Sequence, residues 1–230
     1  MNLRYDCYLP KRSPKIARKL FSAGLGLAAI STVMTLGTSP SLADSPLTST
    51  PFSNAYQDYE IVQRAKRTGI LDLTMAEYLS SPSAPIDIKA ALINALSWDF
   101  KGKKNAVLYR YFLGVKYGRT LEEGLSPNAM TADEAFAMGY LTAMDDYFNP
   151  DKALPFLRVA FTKKPDSLTV GMIRGLVQAQ SAFDSNWCTV WRKVSAPSTN
   201  SDLQPDLRPQ AKAIILDYMR GYESSCTSPR

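Results

Sequence analysis

The sequence predicts an all-α protein: tandem antiparallel helix pairs in a short solenoid-like stack, closed by a disulfide-bonded C-terminal helical cap. Three observations predict it. No stretch alternates apolar and polar residues over strand length with β-branched enrichment. Apolar residues instead recur at helical spacing between short breaks rich in Pro, Gly and Ser. Finally, WDFKGKKNAVLYRYFLG from Trp98 aligns without gaps to DDYFNPDKALPFLRVAF at an offset of 47, pairing Asp99 with Asp146 and Ala106 with Ala153.

The first 43 residues stand apart as a secretory signal peptide. Lys11, Arg12, Lys15, Arg18 and Lys19 form a basic start, and Leu20 to Gly37 is uncharged. Ser41 and Ala43 are small residues at the −3 and −1 positions of a cut before Asp44. An uncleaved N-terminal anchor is the alternative, since the apolar stretch approaches spanning length. This segment also explains the charge. The whole chain is +6 at pH 7, of which residues 1–43 supply +5, leaving +1 for the rest. A near-neutral exported chain carries no electrostatic footprint for nucleic acid and needs no membrane after cleavage. Cys7 departs with the signal, leaving Cys188 and Cys226 as an even pair suited to a disulfide in an oxidising compartment.

The elements of the remaining chain follow in order. Residues 44–53, DSPLTSTPFS, read as a flexible lead-in. Residues 54–230 read as one helical domain, repeat-like over about 85–182 and capped by about 185–230. Asn54 is placed to cap a first helix running to about Arg67, ended by Gly69. A short helix covers Leu73 to Leu79. After SSPSAP, Ile88, Ala91, Leu92, Ala95 and Leu96 mark a third, ending near Trp98. Asn105 to Tyr117 follows, with Leu108, Phe112 and Val115 as its core stripe. Thr131 and Glu134 form a capping box for the next. Asn149-Pro150 starts another; Pro155 requires that its helix start at Leu154 or be kinked. Pro165-Asp166 opens the helix through Val170, Ile173 and Val177. Asn186 to Val194 is short, with Trp187 and Trp191 packing around Cys188. SAPSTNSDLQP reads as a polar loop, and Asp206 to Tyr222 as the last helix.

Within Ala137 to Gly175, the small residues Gly139, Ala153, Ala160 and Gly175 and the terminating Pro165 let neighbouring helices approach and the chain turn. In these positions the chain resembles the tetratricopeptide and Sel1-like repeat families, more faintly over 90–118. The resemblance implies a groove that holds a peptide or partner protein, and no catalysis.

Chemistry is bounded by one absence: the sequence contains no histidine. Serine–histidine and cysteine–histidine nucleophile schemes are excluded, and two cysteines alone make a poor metal site. No cofactor is expected. The doublets Asp145-Asp146 and Glu122-Glu123 point about 100° apart on a helix, so neither forms a catalytic pair by itself. A carboxylate-dependent hydrolase would need acids from different helices to meet, one of them with a raised pKa. Tyr109 and Tyr117, with Arg110 beside them, lie opposite the core stripe, a face that serves either protein recognition or packing against the next helix pair. The expectation is therefore an exported adaptor that binds another envelope or periplasmic protein through Tyr109, Arg110, Tyr117, Asp145 and Asp146. A secreted inhibitor or immunity-type protein acting through a loop such as Ser195 to Pro205 is the alternative.

Overall fold

The computed structural model describes residues 45–120 and 125–226, all within one compact unit. The proposed signal peptide and the Glu122-Glu123 doublet lie outside the described residues. Those residues form nine α-helices, joined by short 3-10 turns. Among them, no helix is long and apolar enough to cross a membrane.

Start signals in the sequence become caps in the structure. The Asp72 side chain accepts from the Met75 N–H to start α2, Leu73–Ser80. Thr131 and Glu134 make both bonds of the capping box at the start of α5, Ala132–Asp145. Ser167 caps α7, Leu168–Ser181, and Asn186 caps α8, Trp187–Thr199. Pro155 lies in the first turn of α6, Leu154–Lys163, where its missing N–H deprives no carbonyl. Four further helices complete the set: α1, Glu60–Thr68; α3, Ile86–Leu96; α4, Asn105–Tyr117; and α9, Pro209–Met219.

α3, α5 and α7 touch one another and are buried on nearly every side. α4 and α6 both lie against α5, and α6 and α8 against α7. From α4 to α9 each helix thus packs against the next around a shared apolar core, while α1 packs on α3. Two small residues set the closest approaches. A Cβ on Gly139 would stand 2.7 Å from Leu157 of α6, and one on Gly175 would collide with the Lys193 carbonyl of α8. Ala153 and Ala160 are fully buried. The two similar stretches also meet: Trp98 packs edge-on to Tyr147 at 5.2 Å between ring centres, and Phe100 to Phe148 at 5.6 Å.

Three expectations need correction. The segment read as a flexible lead-in is packed, because it carries its own apolar anchors. Leu47 and Phe52 are buried, and the Asn94 side chain accepts from the Ser53 N–H at 2.9 Å while donating to the Thr50 carbonyl. Gln180 accepts from Ser45 as well. The first helix does not start at Asn54. That residue lies in the 3-10 turn Phe52–Tyr56, and α1 begins only after Tyr59. The loop read at 195–205 is half helix. α8 runs through Pro197 to Thr199, because a proline in the last turn removes few helical bonds and its ring packs over Gly171.

The C-terminal cap forms as read. Cys188 and Cys226 are disulfide-bonded. Tyr222 fills the space beneath, edge-on to Trp187 and Phe183. Arg208, just before α9, lies over the rings of Tyr56 and Tyr59 and pairs with Asp58 at 2.7 Å. The C-terminal helix is thereby tied to the start of the described chain.

Candidate functional site: the groove between α2 and α4

α4 carries apolar residues on two sides. One side holds Ala106, Tyr109 and Leu113; the other holds Val107, Leu108, Tyr111 and Val115. Periodicity alone cannot choose between them, and the polar atoms decide. Tyr109 Oη hydrogen-bonds Ser80 Oγ of α2 at 2.8 Å with both groups buried. Tyr117 donates to Glu134 Oε2 of α5 at 2.8 Å. Lys116 reaches the other Glu134 oxygen at 2.6 Å, and the same carboxylate accepts the Thr131 N–H. Burial pushes the Glu134 carboxyl up, but the bonds from Lys116, Thr131 and Tyr117 outweigh it and hold the group below the usual carboxylate range. A buried tyrosine needs a partner for its hydroxyl. The Tyr109 side has one and turns inward.

The sequence-based assignment of faces on α4 is therefore reversed. Tyr109 is fully buried, with its hydroxyl pushed to a higher pKa chiefly by that burial, and Leu113 is buried beside it. Leu108 and Val115, read as core, are exposed, Val115 to 85%. Arg110 is exposed as expected. Tyr117 is partly exposed at the helix end, but its hydroxyl is committed to Glu134.

Outside, the exposed face of α4 meets α2 across a groove of about 550 Å³. Leu71, Leu73, Ala76, Leu108, Tyr111, Phe112 and Val115 make its apolar walls. Leu73 is 65% exposed and Tyr111 54%. Asp72 and Glu77 edge it on the α2 side and Lys116 on the α4 side. Val107 and Arg110 lie exposed on the same helix. Single exposed apolar residues are unremarkable, but a contiguous set on two adjacent helices is the signature of an interaction surface.

The acidic doublet lies elsewhere, and its two members do different work. Asp145 is buried. One carboxylate oxygen accepts the Ala106 N–H at 2.7 Å, joining the end of α5 to the start of α4. The other has no partner. Burial pushes its pKa from 3.8 to about 6, against the Ala106 hydrogen bond and the nearby Lys103. Asp146 is at the surface, bonded to Asn149 and to Lys152 at 3.1 Å. The expected groove of Tyr109, Arg110, Tyr117 and Asp146 does not form. Asp145 meets α4 at Ala106, eleven residues and about 16 Å of helix from Tyr117. Asp145 serves a helix end rather than a cleft, so its raised pKa does not mark an acid catalyst. Among the described residues, no group of three or more His, Cys, Asp or Glu side chains is placed to hold a metal ion.

No family model, curated protein or solved structure matches this chain. Sequence reasoning assigned the buried and exposed sides of α4 the wrong way round. Val107, Leu108, Tyr111 and Val115 were missed as surface residues because they share the spacing of a core stripe. The available signal was the Tyr109 and Tyr117 hydroxyls on the other side, which can bond groups on neighbouring helices.

Proposed function

We propose that the protein is an exported, non-catalytic adaptor that binds another protein of the cell envelope through the α2–α4 groove. The carrying observation is the continuous apolar surface formed by Leu73, Leu108, Tyr111 and Val115. Its occupant is an amphipathic helix of the partner. The groove has the width left by two adjacent helices, and its edges carry opposite charge, Asp72 and Glu77 on the α2 side and Lys116 on α4. A helix with an apolar stripe, carboxylates on one flank and a cation on the other meets both edges. The basic start followed by an uncharged stretch and a small-residue cut supports export, and the resemblance to tetratricopeptide and Sel1-like repeats supports protein binding. The inhibitor reading has less behind it. Its loop is helical to Thr199, and Gln204 is held by Asp166 and bonds the Leu168 N–H through its carbonyl.

The test is capture from envelope extract by the full chain and by a Leu108→Asp/Val115→Asp double variant. Both side chains are exposed, so circular dichroism of the variant should match wild type. A helical partner held by wild type and lost by the variant is the expected result. Equal capture by both would remove the groove from the proposal. A self-associated wild type that the variant renders monomeric in light scattering would replace the partner with a second copy.

A further inference from the structure

A second cleft lies between α7 and α8, with Phe161 of α6 among its lining residues. It has a volume of about 590 Å³. Gly171, close against Pro197 of α8, lines it as well. Arg174 and Gln178, one turn apart on the neighbouring face of α7, rise on one wall. Thr189, Arg192, Lys193 and Asn200 of α8 and its exit rise on the other. Three cationic residues, of which Arg192 and Lys193 are exposed, and several neutral hydrogen-bonding groups thus line one space, and none of the lining residues is acidic.

The cations lack counter-charges. No ion pair to Arg174, Arg192 or Lys193 exists among the described residues, whereas Lys89, Lys116, Lys152, Lys164 and Arg208 each have one. Asp166, next to the lining residue Pro165, is already bonded to Gln204. Arg174 is half-buried with its guanidinium over the Phe161 ring at 4.9 Å. Burial, and then the charge of Arg158, lower its pKa. Holding a half-buried guanidinium beside another cation without a carboxylate is unfavourable unless something else supplies negative charge.

We infer that the cleft lined by Arg174, Arg192 and Lys193 binds a phosphate-bearing ligand. Guanidinium groups match the oxygens of an oxyanion in pairs, and Lys193 adds a point charge. Thr189, Gln178 and Asn200 can donate the remaining hydrogen bonds. Three cations call for more than the single charge of a carboxylate, and a phosphate monoester carries about −1.5 to −2 at neutral pH. The near-neutral charge of residues 44–230 does not oppose this, since a local cluster sets the field in its own cleft.

The probe is inorganic pyrophosphate, titrated calorimetrically into the full chain at low salt. Saturable binding is expected, weakened at least tenfold in an Arg174→Gln/Arg192→Gln double variant and weakened for wild type as sodium chloride rises. Without ligand the variant should keep the wild-type circular dichroism spectrum, since it loses no ion pair and the lost Arg174–Phe161 contact is offset by relief of the repulsion from Arg158. Absence of saturable binding, or equal binding by the variant, would overturn the inference. Succinate competing as well as pyrophosphate would overturn the assignment to phosphate. Vesicles of phosphatidylcholine with and without phosphatidic acid then separate the sources. Retention on phosphatidic acid that is lost in the double variant identifies a lipid phosphate; pyrophosphate binding without retention identifies a soluble one.

Discussion

Asp145 illustrates how a single residue can look catalytic for a structural reason. Its pKa of about 6 arises from burial against the start of α4. A carboxyl whose folded pKa is raised binds its proton more tightly in the folded chain. Its contribution to stability is therefore full below about pH 4 and is lost as pH rises through about 6. Two units correspond to about 2–3 kcal/mol. Asp145→Asn keeps an acceptor for the Ala106 N–H and removes the titration. Denaturant unfolding of both proteins from pH 4 to 7 should show wild-type stability falling relative to the variant by that amount. A pH-independent difference would refute this account. The doublet itself was legible in the sequence. That Asp145 turns inward depended on the start of α4 docking against the end of α5, a long-range contact no local pattern states, whereas the pairing of Asp146 with Lys152 is local.

At the scale of elements, the close approaches carry the stack. Gly139 and Gly175 both read as small-residue contact points, and both are. Their surroundings differ. A methyl at Gly139 meets the side chain of Leu157, which has rotamers available. A methyl at Gly175 meets the backbone carbonyl of Lys193, which moves only if α8 moves. Gly175→Ala should therefore cost about 1–3 kcal/mol in thermal or denaturant unfolding, and more than Gly139→Ala. If the two substitutions cost the same, the α7–α8 contact is looser than described. α4 teaches the complementary lesson. Its limits, Asn105–Tyr117, follow from the sequence, whereas its orientation does not, because both of its sides are apolar. Ser80 and Glu134, on two other helices, choose the side that is buried.

At the scale of the whole molecule, the described residues are held by a buried ion-pair network and by the C-terminal cap. Lys89 is fully buried, donating to Asp133 at 2.7 Å and to the Ser81 carbonyl, and Lys164 joins Asp133 from α6 at 3.2 Å. This network connects α3, α5 and α6 across the core. At the C-terminal end, the disulfide closes 38 residues and fastens the last turn to α8. On the chain-entropy model such a closure stabilises by about 3–4 kcal/mol. A Cys188→Ser/Cys226→Ser variant should melt at markedly lower temperature, and reduction of wild type should reproduce the shift. An unchanged melting temperature would mean that packing around Tyr222 holds the cap unaided.

The sequence by itself determined the helical class, most helix limits, the capping box and turns, and the cysteine pairing. These are set by neighbours a few residues apart: a cap bonds the N–H three positions on, and a proline acts on its own turn. The tertiary structure decided which side of α4 faces water, that the segment after residue 44 packs against Asn94 and Gln180, and that Arg174, Arg192 and Lys193 share one cleft. Each of these depends on groups brought together from distant parts of the chain. Burial, and the hydrogen bonds that burial demands, are properties of the assembled core rather than of any stretch within it.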